Sequence, residues 1–496
     1  MKVKLVDLQI YDNLKTKPYK HQIECFKYGK EHDKFLLADE QGLGKTREAI
    51  DIACYKKKRF DYKHCLIICG VNGLKYNWLN EVHTHSYEDA YILGQRMTKH
   101  GISVTSNEDK LADLENIDEL PYFIITNIET LRYKIKTGNK IKVRGKLKDE
   151  IKYPISEKLK ELRPKINMIV ADECHKMKNP ESEQGEQFLS TYADTMIAMT
   201  GTPIMNNPLD LYIILNWLGY EEHSFYQYKV HYCRLGGYGG YEIIGFKHLD
   251  QIQDILDKMM LRRLKSDVLD LPEKIYITEY VEMSTKQTKI YNEIRNELLC
   301  NVDLIAATVN PLSELIRLRQ ATGYTGILSS TVQESAKLDR LEELVSDTIE
   351  NGQKLIIFSN WTSMTDIIEQ RLSKYKPNCI TGKTPEKLRN DYVTDFQTQS
   401  NSKILIGTVG AMGTGLTLTA ATTVIFFDEP WNRAIRDQAE DRAHRIGTIL
   451  PINIYFLLTK NTIDERIHDI VETKGKISDA LIDNKLDVNT INYLLS

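Results

Sequence analysis

The chain has 496 residues, 66 Lys+Arg against 69 Asp+Glu and a formal net charge of −3; this excludes a histone-like polycation, so any contact with nucleic acid has to come from local basic patches. Its eight cysteines include no C-x-x-C pair, and several sit inside apolar runs such as Cys65-Leu66-Ile67-Ile68-Cys69, which excludes zinc ligands and reads as reduced core thiols. Met1 to Asp7 carry no signal-type segment and no apolar run approaches the ~20 residues of a membrane helix, so the expected compartment is the cytoplasm of a bacterial cell, or of the host if the protein is viral. A lean lysine- and isoleucine-rich composition points the same way, and the length allows about three units of ~150 residues or two larger ones.

In chain order, the first informative stretch is Phe35-Leu36-Leu37-Ala38, followed by Asp39-Glu40-Gln41-Gly42-Leu43-Gly44-Lys45-Thr46 and then Arg47-Glu48-Ala49-Ile50. A strand, a glycine-containing turn and a helix start predict a phosphate-binding loop, because backbone N–H groups and the helix dipole favour an anion there. Lys45 is expected on the β and γ phosphates and Thr46 on a Mg2+ ion. Asp39 stands where the pattern G-x-x-x-x-G-K-[ST] has its first glycine. Leu66 to Gly70, Tyr122 to Thr126, Ile166 to Ala171 and Thr195 to Thr200 read as buried parallel strands of one α/β lobe.

Arg132, Lys134, Lys136, Lys140, Lys142, Arg144, Lys146 and Lys148 alternate with Ile, Val and Leu around Thr137-Gly138-Asn139, as in a β-hairpin that is either a basic ribbon for DNA or a solvated loop. Asp172-Glu173-Cys174-His175 follows the Ile166 to Ala171 strand at its carboxyl end, where open parallel sheets place ligands. Asp172 suits a metal held through water, and Glu173 suits the orientation or deprotonation of the water that attacks a γ-phosphate. His175 is placed to relay the nucleotide state, or is an ordinary surface histidine. Thr200-Gly201-Thr202-Pro203, with Asn206 and Asn207, reads as a coupling loop at the same edge.

Residues from about Pro208 to Leu344 carry longer helical patterns, with Leu271-Pro272-Glu273-Lys274 as a break between two helical insertions. Lys354 to Phe358, Lys403 to Gly407, Thr423 to Asp428 and Ile452 to Leu457 predict a second parallel sheet. In Gln438 to Gly447, helical spacing puts Arg442 and Arg445 on one face, either aimed at a phosphate or salt-bridged with Glu440 and Asp441.

The order of these motifs resembles the Swi/Snf family of DNA-dependent ATPases in helicase superfamily two. The resemblance spans nearly the whole chain. It rests on Tyr19-Lys20-His21-Gln22, the Asp39 to Thr46 loop, Asn77-Trp78-Leu79-Asn80-Glu81, Asp172 to His175 and Thr200 to Asn207. It continues with Leu261-Arg262-Arg263-Leu264-Lys265-Ser266-Asp267-Val268, Leu271 to Lys274, Leu318-Arg319-Gln320, Lys337-Leu338-Asp339, Gly413 to Ala421 and Gln438 to Gly447. The Gly-Leu-Thr wording at 415–417 is nearest the annealing-helicase branch, and the family also has Asp-Glu where the first glycine is missing. His21, Arg433 and Thr448 depart from the family pattern without removing a catalytic group.

The resemblance implies an α/β fold of two RecA-like P-loop lobes, parallel sheets with helices on both faces. The expected lobes are 1–272, with a helical insertion at about 205–270, and 273–496, with one at about 285–345. It implies ATP and Mg2+ held by His21, Gln22, Asp39, Glu40, Gln41, Gly42, Leu43, Gly44, Lys45 and Thr46, with Gly413 and Gly415. Catalysis would fall to Lys45, Asp172, Glu173, Gln438, Arg442 and Arg445, and the metal to Thr46 and Asp172. Candidate DNA contacts are Trp78, Asn127, Lys176, Lys178, Trp361 and Thr408; the tryptophans read equally as core aromatics and the lysines as solvated. The expected activity is ATP-driven translocation on double-stranded DNA by a monomer, remodelling protein–DNA complexes or branched DNA through sequence-independent backbone contacts, with no membrane and with room for a partner protein that supplies targeting. The alternatives are a strand-separating helicase and a nucleotide-gated DNA-binding scaffold.

Overall fold

Two parallel sheets organise the protein, one in each of two units, Met1–Leu269 and Asp270–Ser496. The computed structural model describes residues 15–71, 73–98, 101–143, 146–177, 179–201, 208–237, 239, 242–269, 271–306, 311–413, 416–473 and 488–496. The expected compositions of the Thr202 to Asn207 turn, Lys178 and Gly415 fall outside these residues.

In the first unit seven strands are β1 (Lys34–Leu37), β2 (His64–Cys69), β3 (Ala90–Ile92), β4 (Phe123–Asn127), β5 (Ile166–Asp172), β6 (Thr195–Met199) and β7 (Met260–Leu261), in the order β7-β1-β6-β5-β2-β4-β3. All neighbouring pairs are parallel. Successive side chains point to opposite faces, and here both faces are covered. Leu36, Leu66, Ile68, Ile124 and Ile169 enter one apolar layer, while Phe35, Leu37, Cys65, Ile67 and Val170 enter the other. That is why each strand reads as an unbroken apolar run. Cys25, Cys65 and Cys69 are packed inside the second layer, where burial pushes their thiols well up.

The stretch after β6 contains helices Tyr212–Leu218, Phe225–Tyr232 and Leu249–Met259, but also an antiparallel hairpin, Cys233–Gly236 with Glu242–Phe246, and the edge strand β7. The insertion is therefore not purely helical. The basic segment is a hairpin of Ile135–Val143 and Lys146–Lys152. Its turn is not at Thr137-Gly138-Asn139, which form an irregularity within the first strand: the register slips between Lys136 and Lys140, and Thr137 and Asn139 side chains donate to Glu150 Oε2 at 2.7 and 3.2 Å.

The second sheet comprises β8 (Lys274–Val281), β9 (Leu355–Ser359), β10 (Asn378–Ile380), β11 (Ile404–Thr408), β12 (Thr423–Phe426) and β13 (Ile452–Thr459), ordered β8-β13-β12-β9-β11-β10 and again parallel. Leu271 to Lys274 do not separate two helices; they lead into β8. That strand pairs with β13 alone and leaves Ile275, Tyr276 and Tyr280 exposed, so its apolar residues give no buried-strand run. Helices Thr285–Leu299, Val302–Ala306 and Pro311–Gly323 form a satellite core with Ile463–Thr473 and Val488–Leu495 through residues such as Leu298, Leu318, Ile467 and Leu494. Among the described residues no helix is long and apolar enough to cross a membrane.

One ion pair inside this unit is fully enclosed. Lys337 Nζ lies 2.6 Å from Asp464 Oδ2, with the two side chains 1% and 3% exposed, and it also donates to the Phe427 carbonyl at 3.2 Å. Replacing Lys337 with Met leaves a buried carboxylate unpaired, so the unfolding free energy of this unit is expected to fall by about 3–5 kcal/mol in urea titration. A loss below about 1 kcal/mol contradicts an enclosed pair.

Candidate active site

Parallel strands end at one edge of the sheet, and the functional residues of the first unit sit on the connections leaving that edge. The β1 chain runs through Asp39 to Gly44 into helix α2 (Lys45–Phe60). Gly42 and Gly44 both have φ of 85°, in the left-handed region that a side chain resists. At Gly44 a Cβ would also stand 2.6 Å from Gln22 Nε2. Lys45 Nζ donates to the backbone carbonyls of Asp39 at 2.7 Å and Glu40 at 3.4 Å. The cation is thus parked on the loop it belongs to. Thr46 and Gln41 are half-buried in the same turn, and Leu43 is buried beneath it.

Helix α1 (Lys20–Glu31) supports the loop from outside. His21 Nε2 donates to the Leu43 carbonyl at 2.9 Å and Gln22 Nε2 to the same carbonyl at 3.3 Å, while Gln22 Oε1 accepts from Tyr19 N at 2.9 Å. Burial lowers the His21 pKa, which suits a neutral ring donating to a carbonyl.

Asp172 closes β5. Its Oδ1 accepts from Glu173 N at 2.9 Å and its Oδ2 from the Trp78 indole at 2.8 Å. Burial and the neighbouring Glu173 raise its pKa to about 6, against the pull of the Trp78 hydrogen bond and of the Lys45 charge. Lys45 and Asp172 therefore share one electrostatic field. Glu173 adopts φ of 51°, an uncommon conformation for a residue with a Cβ and of the kind that functional turns hold. Gly70 permits it, since a Cβ there would lie 2.6 Å from the Glu173 carbonyl oxygen. His175 is no surface residue: it is buried, and its Nδ1 lies 3.0 Å from Thr200 Oγ1 and 3.3 Å from Glu173 Oε2. That contact joins the acidic turn to the end of β6.

Several expected contacts have other work. Trp78, on helix α3 (Leu74–His85), is fully buried, and its indole donates to Asp172. Asn127 is also buried; its amide donates to Glu129 Oε2 at 2.5 Å and its oxygen accepts from Thr130 at 2.8 Å. Lys176 is exposed. The Asp39 carboxylate is held by Arg263, whose Nε donates to its Oδ1 at 3.1 Å and whose Nη2 binds its Oδ2. The same Nη2 reaches Glu48 Oε1 at 2.7 Å, and Nη1 donates to the His21 carbonyl. Nothing local in the loop sequence announces Arg263; the signal was a buried acid in place of glycine.

In the second unit the helix α4 (Arg433–Glu440) begins at Asn432, whose side chain accepts from Ala434 N at 2.7 Å, and it ends before both expected arginines. Residues 441–445 continue as tight turns, so Arg442 and Arg445 do not share a helix face. Arg442 is buried, with Nε donating to the Gln438 carbonyl at 3.2 Å. Arg445 Nη1 donates to Thr417 Oγ1 at 2.9 Å and to the Leu416 carbonyl at 3.3 Å. Glu440 and Asp441 pair with Lys274 at 3.0 Å each. Gly413 ends a short helix, and a Cβ there would meet the Val409 carbonyl at 2.4 Å. Trp361 and Thr408 lie at the carboxyl edge, where Thr408 Oγ1 caps residues 409–412 and Trp361 is half-buried beside Arg319, whose guanidinium stands 5.0 Å from its ring.

Residues 21–334 match the SNF2-related domain model, and residues 336–447 match the helicase conserved C-terminal domain model. An uncharacterized ATP-dependent helicase of Mycoplasma pneumoniae is 27% identical over 98% of this chain and 44% of its own length. The SWI/SNF-related matrix-associated actin-dependent regulator of chromatin subfamily A member 1 of Mus musculus is 26% identical over 90% of this chain and 41% of its own. The DNA annealing helicase and endonuclease ZRANB3 of Bos taurus is 24% identical over 96% and 41%. The chain thus spans about two fifths of the length of these relatives. The Sulfolobus solfataricus SWI2/SNF2 ATPase core in complex with dsDNA is similar at 23% identity and a TM-score of 0.41 over 97% of each chain.

The Asp39 and Arg263 cluster has a pH signature. Burial, reinforced by the Asp39 charge, raises the Glu48 pKa from 4.5 to about 8, although Arg263 pulls it down. The folded state then holds a proton that the unfolded chain releases, so stability is lost as pH rises through that window. Glu48→Gln is expected to flatten the loss between about pH 5 and pH 8 in urea titrations; a pH-independent difference from wild type contradicts the assignment.

Proposed function

This chain belongs to the SNF2-related family, and from that premise we propose that it is a DNA-dependent, helicase-like ATPase that couples ATP hydrolysis to movement along double-stranded DNA. Such movement would remodel protein–DNA complexes or branched DNA. The observation that carries the ATP half of this reading is the convergence of Lys45 with Asp172 and Glu173 at one sheet edge of the first unit.

The donor set fits a nucleotide. Two left-handed glycines bring backbone N–H groups to the start of α2, Lys45 exchanges two backbone carbonyls for phosphate oxygens, and Thr46 and the Asp172 carboxylate supply the oxygen ligands that Mg2+ prefers. Bound Mg2+ would neutralise charge on the phosphates. Glu173, held beside His175, orients or deprotonates the attacking water. Arg442 and Arg445 are assigned to charge developing in the transition state, which requires them to leave the Gln438, Leu416 and Thr417 partners they have here. Gln22 and His21 flank the base.

DNA would be held through its phosphates, which gives sequence-independent and salt-sensitive binding. Lys176 and the basic hairpin are the contacts we assign to it. Arg132, Lys136 and Lys140 are exposed, while Lys134 and Lys136 spend part of their charge on Glu183 and Asp149, at 2.6 and 2.9 Å.

ATP hydrolysis measured with single-stranded, double-stranded and forked DNA and with RNA tests the reading. Duplex DNA is expected to stimulate most, and Lys45→Ala or Glu173→Gln is expected to lower the stimulated rate at least ~100-fold; no stimulation by any nucleic acid overturns the proposal. Displacement of a strand from the fork in the absence of duplex translocation would instead establish strand separation. Replacing Arg132, Lys136 and Lys140 with Ala is expected to weaken DNA binding and to flatten the slope of log affinity against log salt, by up to ~0.9 per lost phosphate contact. Unchanged binding across several salt concentrations excludes the hairpin.

A further inference from the structure

The segment that leaves β7 is fastened to the phosphate loop along its whole length. Ala38 N donates to the Leu261 carbonyl at 2.8 Å, Glu40 N to the Arg263 carbonyl at 2.9 Å, and Lys265 N to Glu40 Oε2 at 2.7 Å. Arg263 adds the planar fork that holds Asp39, Glu48 and the His21 carbonyl together. Burial opposes its charge, but the hydrogen-bonded Asp39 carboxylate outweighs that and pushes its pKa up. Residues 260–268 are also the last elements of the first unit.

We propose that Arg263 is a positioning residue that makes residues 260–268 follow the occupancy of the phosphate loop. The reasoning turns on Lys45. Its ammonium now rests on the carbonyls of Asp39 and Glu40, the two residues that the segment grips. When Lys45 moves to a phosphate, those carbonyls lose their cation and the backbone from Ala38 to Glu40 readjusts. The hydrogen bonds to Leu261, Arg263 and Lys265, with the fork on the Asp39 side chain, carry that readjustment into the segment. A glycine at position 39 would have no carboxylate to transmit it. A lysine at 263 would keep the charge but lose the geometry that reaches three acceptors at once.

This inference rests on the loop binding ATP, and the experiment separates the two. Hydrogen exchange of the full chain is followed by mass spectrometry with and without ADP and Mg2+. In wild type, nucleotide is expected to slow exchange in residues 38–48 and also, by roughly tenfold, in residues 260–268. In Arg263→Lys the protection of 38–48 persists while that of 260–268 is lost, and ADP binds roughly tenfold more weakly. Asp39→Asn, nearly isosteric, cuts the other end of the link and gives the same pattern, so it carries the test if Arg263→Lys does not fold. The double variant is expected to be no weaker than the worse single variant. Protection confined to 38–48 in wild type, or fully additive losses of affinity, overturns the inference while leaving ATP binding intact. Absence of protection anywhere in wild type overturns the ATP reading itself.

Discussion

Parallel hydrogen bonding is the constraint from which the remaining features follow. Because every strand of each sheet runs the same way, the residues that follow β1, β2, β5, β6 and β7 are delivered to one edge regardless of their distance in sequence. Gly70 and Thr200 meet the acidic turn at Asp172 to His175, and Arg263 meets the phosphate loop, for that reason. The same constraint buries both faces of the first unit's sheet, so the polar groups of the site are left to strand ends such as Asp172 and to the connections, which are held by specific side chains such as Arg263 and His21.

Each unit ends a central strand in an acidic pair, and the two pairs have opposite fates. Asp172-Glu173 closes β5, with Asp172 accepting from an indole and a backbone amide. Asp428-Glu429 follows β12, but Asp428 Oδ2 accepts from Ser359 at 2.6 Å and Glu429 is taken by Arg436 at 2.5 Å and His468 at 2.8 Å. Glu472, 2.8 Å from Arg436, completes that cluster. Glu429, His468 and Glu472 resemble a metal-binding triad in composition, yet the fully buried Arg436 guanidinium already pairs with both carboxylates. Two similar dipeptides therefore stand in different surroundings, one beside Lys45 in the first unit and the other inside a buried ion-pair cluster in the second, a distinction made by partners and not by the acids.

What was legible in the chain was what is local. A Gly-x-Gly-Lys-Thr turn after an apolar run locates the loop, and continuous apolar runs locate strands buried on both faces. Strands exposed on one side were not legible: β8 alternates too loosely, and β7 is two residues long. The Arg442 and Arg445 spacing suggested a helix, but nothing in Gln438 to Gly447 marks where α4 stops, and the stop is set by tertiary bonds such as Leu418 N to the Arg442 carbonyl, 2.8 Å. Asp39 could be seen as anomalous, whereas its partner lies 224 positions away. Trp78 and Arg436 were hidden in the same way, since a buried polar partner is specified by three-dimensional proximity alone.

Gln22 carries one last consequence. Its amide is stretched between the Tyr19 backbone and the Leu43 carbonyl, so a single side chain laces the mouth of α1 to the turn before α2. A Cβ on Gly44 would strike that same amide nitrogen, so the bare glycine keeps the lacing in place, and a pull on either end is felt at the other.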